Sequence, residues 1–191
     1  YELKGFEEFC RGRAAEEMPR ITSRICGFCQ WAHHLASTKA LDDLFGREPP
    51  LTAKMLRELA YNAHMVHSHI AHFFALALPD FLVPPDSPRS ERNVLGLAAR
   101  FPDVARDAIL TRGYAQRIQE VIGGKAVHPV SGLPGGWSKT IDEDERKEIE
   151  ALAKKCLEFS LRYRDLFEEH VYNNETWREI IEGDVYRHES Y

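Results

Sequence analysis

Apolar residues recur at steps of three and four along most of the chain, the pattern of helices that bury one stripe. Leu41, Leu44 and Phe45 follow this period, and Gly46 supplies a stop before Pro49 and Pro50. A long helix is predicted from Thr52 to Leu78, with Met55, Leu56, Leu59, Ala63, Val66, Ile70, Phe73 and Phe74 on its stripe and Pro79 as its end. The proline-punctuated run LPDFLVPPDSPRS then reads as loop. A further helix is expected from Pro102, carrying Val104, Ala108, Ile109, Ala115, Ile118 and Ile122 as far as Gly123 and Gly124. The last long helix should open on a capping box of Thr140 and Glu143 and bury Ile149, Leu152, Cys156, Phe159, Tyr163 and Leu166.

Between these helices lies GGKAVHPVSGLPGGW, residues 123–137, which reads as a shaped loop because glycine and proline exclude regular structure there. Strand signals are confined to 1–3 and 125–130. The expected fold class is mainly α, or α+β with minor strand content, and no linker divides residues 1–191 into separate domains.

Charge narrows the function. Thirty acids against 25 bases give a net charge of -5, interspersed along the chain, so no basic stripe is available to neutralise phosphates and nucleic acid is not an expected partner. No apolar run reaches the roughly 18 residues of a membrane span. Four cysteines, Cys10, Cys26, Cys29 and Cys156, are too few and too scattered to staple a secreted domain and fit a reducing compartment better. Tyr1 opens on sequence without the charged and apolar regions of a signal peptide.

Two of the cysteines have a plain structural explanation. Cys156 sits within an apolar stripe, and Cys10 follows Phe6 and Phe9 at helical spacing, so both are expected in the core. Cys26 and Cys29 differ, because a C-x-x-C with Gly27 inside it can turn both sulfurs towards one centre, beside Arg24 and His33. Three chemistries suit the pair: half of a zinc site, a dithiol redox couple, or half of a redox-metal site. Zinc wants a second ligand pair, which this chain lacks, and a thioredoxin-like couple wants a preceding strand, which EEMPRITSR does not supply. His64, His67, His69 and His72 look like a metal cluster but fan across roughly 200° of a helix at about 100° per residue, opposite the apolar stripe, so they cannot converge on one ion. Structural histidines are the simpler reading, with a share in a proton route as the other.

Read as a block, Lys4 to Gly46 resembles the first cysteine-pair region of the nickel-iron hydrogenase large subunit. The family pattern R-x-C-G-x-C-x-x-x-H is matched by Arg24, Cys26, Gly27, Cys29 and His33, and its upstream R-G-x-E element by Lys4, Gly5, Phe6 and Glu7. The run HSHIAHFFALALPDF and the His128-Pro129 loop are similar to later family segments, and RICGFCQWAHHLAS is most similar to the cytoplasmic, methyl-viologen-reducing branch associated with heterodisulfide reductase. The resemblance implies the helical core of that large subunit, and with it reversible heterolytic cleavage of dihydrogen. It implies that Cys26 is a terminal nickel thiolate and that Cys29 bridges nickel to an iron carrying cyanide and carbon monoxide. His33 would donate a hydrogen bond to the bridging sulfur, and Glu7 would serve a magnesium or iron site nearby. Electrons would pass to a small iron-sulfur subunit, with heterodisulfide-reductase-type proteins as further partners.

Two family elements are missing from this sequence: the C-terminal D-P-C-x-x-C-x-x-H, which carries the other two metal cysteines, and the upstream R-I-E-G-H. An internal portion of a large subunit, inactive by itself, is therefore expected. Lys4 also replaces the family's usual arginine and loses its planar fork. The alternatives are a relative serving as a respiratory-complex subunit, which would be expected to lack the cysteine pair, and a zinc or dithiol module.

Overall fold

The structure, a computed structural model, describes residues 4–84 and 86–183. The expected strand at 1–3 lies outside the described residues. Helices α1 (Lys4–Cys10), α2 (Met18–Thr22), α3 (Gln30–Leu44) and α4 (Leu51–Ala71) lead into a π-helical stretch (His72–Ala77) and the short α5 (Leu78–Leu82). Then follow α6 (Val94–Arg100), α7 (Pro102–Gly123), the two-residue strands β1 (Gly132–Leu133) and β2 (Gly136–Trp137), and α8 (Glu143–Phe167). A second π stretch (Glu168–Tyr172) and α9 (Glu175–Glu182) end the described chain. The mainly α class expected from the periodicity is observed.

The residues group into two compact units, 4–68 with 113–153 and 69–112 with 154–183. In the first, Trp31, Ala60, Ala63, Ile118, Val121, Ile122 and Ile149 form a buried cluster, with Trp137, Ile141 and Leu152 against it. Trp31 stacks on Trp137 with ring centroids 6.5 Å apart, and Gly123 is required because a Cβ there would overlap the Trp31 ring. In the second unit, Phe74, Phe159 and Tyr163 meet with centroids 4.3 to 5.3 Å apart. There the Tyr163 hydroxyl donates to Asp107 Oδ2 at 3.2 Å, and burial, with the Asp107 charge, pushes the phenol up to about 12. Cys156 is buried as expected, its thiol pushed up by burial and directed at the Thr111 carbonyl, 3.9 Å away.

Several expectations are corrected. Pro79 does not end the long helix: the backbone widens to π spacing at His72–Ala77 and restarts at Leu78, which puts Pro79 in a first helical turn where its missing N–H has no duty. The start of LPDFLVPPDSPRS is accordingly helical. Asn93 caps α6, an element without a strong apolar period, by accepting from Leu95 N and Gly96 N. The strand pair lies at 132–137 rather than 125–130, joined antiparallel through Gly132 and Trp137. The capping box of α8 is Asp142 with Glu145, each accepting the other's backbone N–H, at 2.8 and 3.2 Å. Helix α1 buries none of its residues, so Phe6 and Phe9 are exposed and Cys10 only half-buried.

The largest correction concerns α4. Its buried face in the first unit runs through Ala53, Arg57, Ala60, His64 and His67, while Leu51, Met55 and Leu59 on the opposite side are exposed. The reason is a buried ion pair. Arg57 Nη1 and Nη2 donate to Asp42 Oδ2 and Oδ1 of α3 at 2.5 and 3.2 Å, and Nη2 also donates to the Leu133 and Gly136 carbonyls at 3.0 and 2.9 Å. Gly135 N donates to Asp42 Oδ1 at 2.6 Å. A guanidinium with this many buried partners cannot turn outwards without leaving all of them unpaired, and that outweighs burial of a few methylenes. Leu44, Phe45 and Ile109 are likewise exposed members of their expected stripes.

Arg57→Met would leave the Asp42 carboxylate buried without its cation. A loss of roughly 3–5 kcal/mol of unfolding free energy is expected, read from urea denaturation of the protein at neutral pH. A loss below about 1 kcal/mol would show that the pair does not hold the unit together.

Candidate metal centre

The cysteine pair occupies the connection between α2 and α3. Cys26, Gly27, Phe28 and Cys29 form a tight turn in which Phe28 N and Cys29 N both donate to Cys26 Sγ, at 3.4 and 3.3 Å. The Cys29 thiol lies near enough to the Cys26 sulfur for each to perturb the titration of the other. This thiol contact, followed by the two N–H groups, holds Cys26 below the ordinary thiol range. Burial pushes Cys29 up, and the neighbouring Cys26 sulfur adds to the effect. The turn thus presents one sulfur prepared as a thiolate and a second beside it, both half-buried.

The residues around the turn fix it on several sides. Buried Gln30, the first residue of α3, has its amide nitrogen 3.0 Å from both the Gly27 and Phe28 carbonyls when the amide is oriented by its hydrogen bonds. His33 lies one helical turn beyond Cys29 and donates its backbone N–H to the Cys29 carbonyl at 3.2 Å. The next histidine, His34, is buried, with Nδ1 3.0 Å from the Pro19 carbonyl and Nε2 accepting from Gly132 N at 3.0 Å. An accepting Nε2 makes Nδ1 the protonated nitrogen, so the ring is a neutral clamp between α2 and the hairpin. Gly132 must be glycine here, because a Cβ would lie 2.6 Å from His34 Nε2. His128, with a positive φ of 56°, reaches the Ser23 carbonyl through Nδ1 at 3.1 Å. The 123–137 loop therefore braces Ser23 ahead of the cysteines and His34 beyond them.

Other expected site residues lie elsewhere. Glu7 is exposed on α1. His64 and His67 are buried, whereas His69 and His72 are exposed, so the four histidines do not converge. Among the described residues no group of three or more His, Cys, Asp or Glu side chains could hold a metal ion. The pair offers two ligands. Cys10 lines an open cleft of about 760 Å³ with Phe6, Phe9, Arg20, Ile21 and Arg24 instead of entering a core. Sequence reasoning missed the roles of Gln30, His34, Asp42 and Arg57. A 3.6-residue period does contain one of the signals, since Trp31, His34, Thr38 and Asp42 share a face of α3.

A family model described as nickel-dependent hydrogenase matches residues 4–87, a span that contains the turn and its supports on α2, α3 and α4. The chain is 49% identical over 187 residues to an iron-sulfur subunit of the F420-non-reducing hydrogenase of Archaeoglobus profundus, covering 97% of this chain and 38% of the relative. Residues 4–87 belong to the nickel-dependent hydrogenase family. The chain is also 51% identical over 158 residues to a vhu subunit of the F420-non-reducing hydrogenase of Methanocaldococcus jannaschii, covering 83% of this chain and 38% of that one. Among solved structures, an NAD+-reducing NiFe-hydrogenase in the H2-reduced state superposes with a TM-score of 0.87 at 36% identity, over 94% of this chain and 40% of that chain. The chain thus spans about 38% of the length of the curated relatives named here.

A nickel-dependent hydrogenase implies a nickel-iron centre, and the turn fits one in donor chemistry. Soft thiolates suit nickel and low-valent iron, and N–H donors on a sulfur stabilise its anionic form. Two thiols cannot complete the coordination, so the described residues fit one part of such a centre and no more.

Acid should weaken the clamp in a defined order. Burial holds His34 below the ordinary histidine range, against the Pro19 carbonyl and with the Arg57 charge. The unfolded chain therefore takes up a proton that the folded chain excludes, and stability falls as pH drops below about 6.5. Asp42 is pushed up by burial, but Arg57 and the Gly135 N–H outweigh this and hold it below the usual carboxylate range, so its share is lost only below about pH 4. His34→Gln should remove the first step in urea denaturation midpoints measured from pH 8 to 5. An unchanged pH profile would contradict the neutral clamp.

Proposed function

We propose that this chain forms part of the catalytic large subunit of a nickel-iron hydrogenase, which splits dihydrogen reversibly into protons and electrons. The observation that carries the reading is the pair Cys26 and Cys29 in one tight turn ahead of α3, one sulfur receiving two backbone N–H groups, inside the span matched by the family model. When bound, the nickel-iron centre supplies the redox chemistry of heterolytic dihydrogen cleavage. In this reading Cys26 and Cys29 would hold the nickel-iron centre, Cys26 as a terminal nickel thiolate and Cys29 as the thiolate shared with an iron that would carry cyanide and carbon monoxide. His33 would donate a hydrogen bond to the bridging sulfur and tune its donor strength. Glu7 serves a separate magnesium or iron site, consistent with the preference of hard cations for carboxylate oxygen.

The same reading assigns partners. Electrons leave through a small iron-sulfur subunit, then pass to heterodisulfide-reductase-type proteins, and the enzyme works in the cytoplasm. Free thiols at Cys10, Cys26, Cys29 and Cys156 support a reducing compartment. Among the described residues no helix is long and apolar enough to cross a membrane.

Cys29→Ser in the full-length protein should abolish hydrogen uptake. Cys156→Ser should retain nickel and lower the melting temperature, because it changes only a buried packing contact. Elemental analysis with infrared spectroscopy tests the centre directly: nickel, iron and bands from metal-bound cyanide and carbon monoxide are expected. One equivalent of zinc without nickel would overturn the reading, as would full activity in Cys29→Ser.

A further inference from the structure

We propose that Gln30 is the positioning residue of the cysteine pair, acting through the two peptide groups that it holds. The inference follows from which atoms share a peptide plane. The Gly27 carbonyl and the Phe28 N–H belong to one peptide group, and the Phe28 carbonyl and the Cys29 N–H to the next. All peptide bonds in the described chain are trans, so carbonyl and N–H point in opposite directions across each plane. The Gln30 amide nitrogen lies 3.0 Å from both of these carbonyls. The two N–H groups on the far side of the same planes are the ones that donate to Cys26 Sγ, at 3.4 and 3.3 Å. One side-chain amide therefore sets the tilt of both planes and aims two donors at one sulfur.

Polarisation adds to orientation. A carbonyl that accepts a hydrogen bond makes the N–H of its own peptide group a better donor, so the Gln30 contact strengthens what the sulfur receives. The amide is well placed to do this because Gln30 is 2% exposed, which removes competition from water, and because it begins a 15-residue helix whose backbone is rigid. Neither glutamate nor methionine can replace it: a carboxylate has no donor for the two carbonyls, and a thioether has the length without the hydrogen bonds. Gln30 touches neither a metal position nor a reacting atom. Its effect reaches the sulfur only through the backbone of the turn.

The proposal rests on the hydrogenase reading only for what the sulfur finally binds, and the test separates the two. In full-length protein from nickel-depleted cells, amide hydrogen exchange is measured by mass spectrometry at Phe28 and Cys29 for wild type, Gln30→Met and Gln30→Glu. Both amides should exchange slowly in the wild type, and each variant should speed them by about tenfold, the equivalent of losing one modest hydrogen bond. Exchange in α7 should not change, which a general loss of stability would not spare. In nickel-loaded protein, the infrared bands of metal-bound diatomic ligands should shift in Gln30→Met while nickel content stays at the wild-type level. Fast exchange at Phe28 and Cys29 in the wild type overturns the proposal even if neither variant folds, as does unchanged exchange in a folded variant. Absence of diatomic bands in wild-type protein would remove the hydrogenase reading and leave the exchange result to decide the role of Gln30.

Discussion

The ion pair between Asp42 and Arg57 is the constraint on which the rest of the first unit depends. It joins α3 to α4, and through Leu133, Gly135 and Gly136 it also fixes the hairpin of β1 and β2. Two strands of two residues each could not hold a register alone. The hairpin is held because its backbone groups are bound by a guanidinium and a carboxylate that also bind each other. Once the hairpin is placed, Gly132 N is placed, and with it the acceptor side of His34. The donor side of the same ring then holds the Pro19 carbonyl of α2, which leads into the cysteine turn. A contact between the last turn of α3 and α4 thus limits where Cys26 can sit, through hydrogen bonds that are buried or partly buried.

The turn itself is built on a second layer of the same logic. Small geometric errors at a metal ligand cost affinity and tune redox behaviour, so a ligand turn has to be held by groups that cannot move independently. Here the supports come from three directions: Gln30 from the helix that follows, His34 through the preceding helix, and His128 through the Ser23 carbonyl. The strained left-handed backbone of His128 belongs to this set. A non-glycine residue at positive φ is retained where the surrounding structure needs its side chain, and this side chain reaches across 105 residues to the segment ahead of the cysteines.

Much of the fold was legible because helical period and helix stops are local signals. The start of α7 at Pro102, the Gly46 stop and the stripe of α8 from Ile149 to Tyr163 needed no tertiary information. The failures share a cause. On α4 the apolar stripe containing Met55 and Leu59 was expected inside, yet the buried face is chosen by Arg57, whose partner is 15 residues away in sequence and cannot be inferred from hydropathy. Pro79 was read as a stop because proline ends most helices, but a π stretch shifted its register into a first turn. At the site, the C-x-x-C spacing announced itself, whereas Gln30, His34 and His128 gain their meaning from carbonyls that only the folded backbone brings near.

The two faces of α4 also explain why its buried side in this unit carries an arginine and two histidines. Alanines at 53, 60 and 63 allow α4 to approach its neighbours closely, and the buried Arg57 then takes the space that small residues leave. A bulky apolar face could not do this, since Met or Leu side chains would hold the helices apart and lengthen every bond from Arg57 to the hairpin. Leu51, Met55 and Leu59 are excluded from that face by the same demand for close approach. The outward position of the strongest apolar residues is therefore a consequence of bringing a cation to within hydrogen-bond distance of Asp42 and two hairpin carbonyls, which is the condition under which the cysteine turn is held.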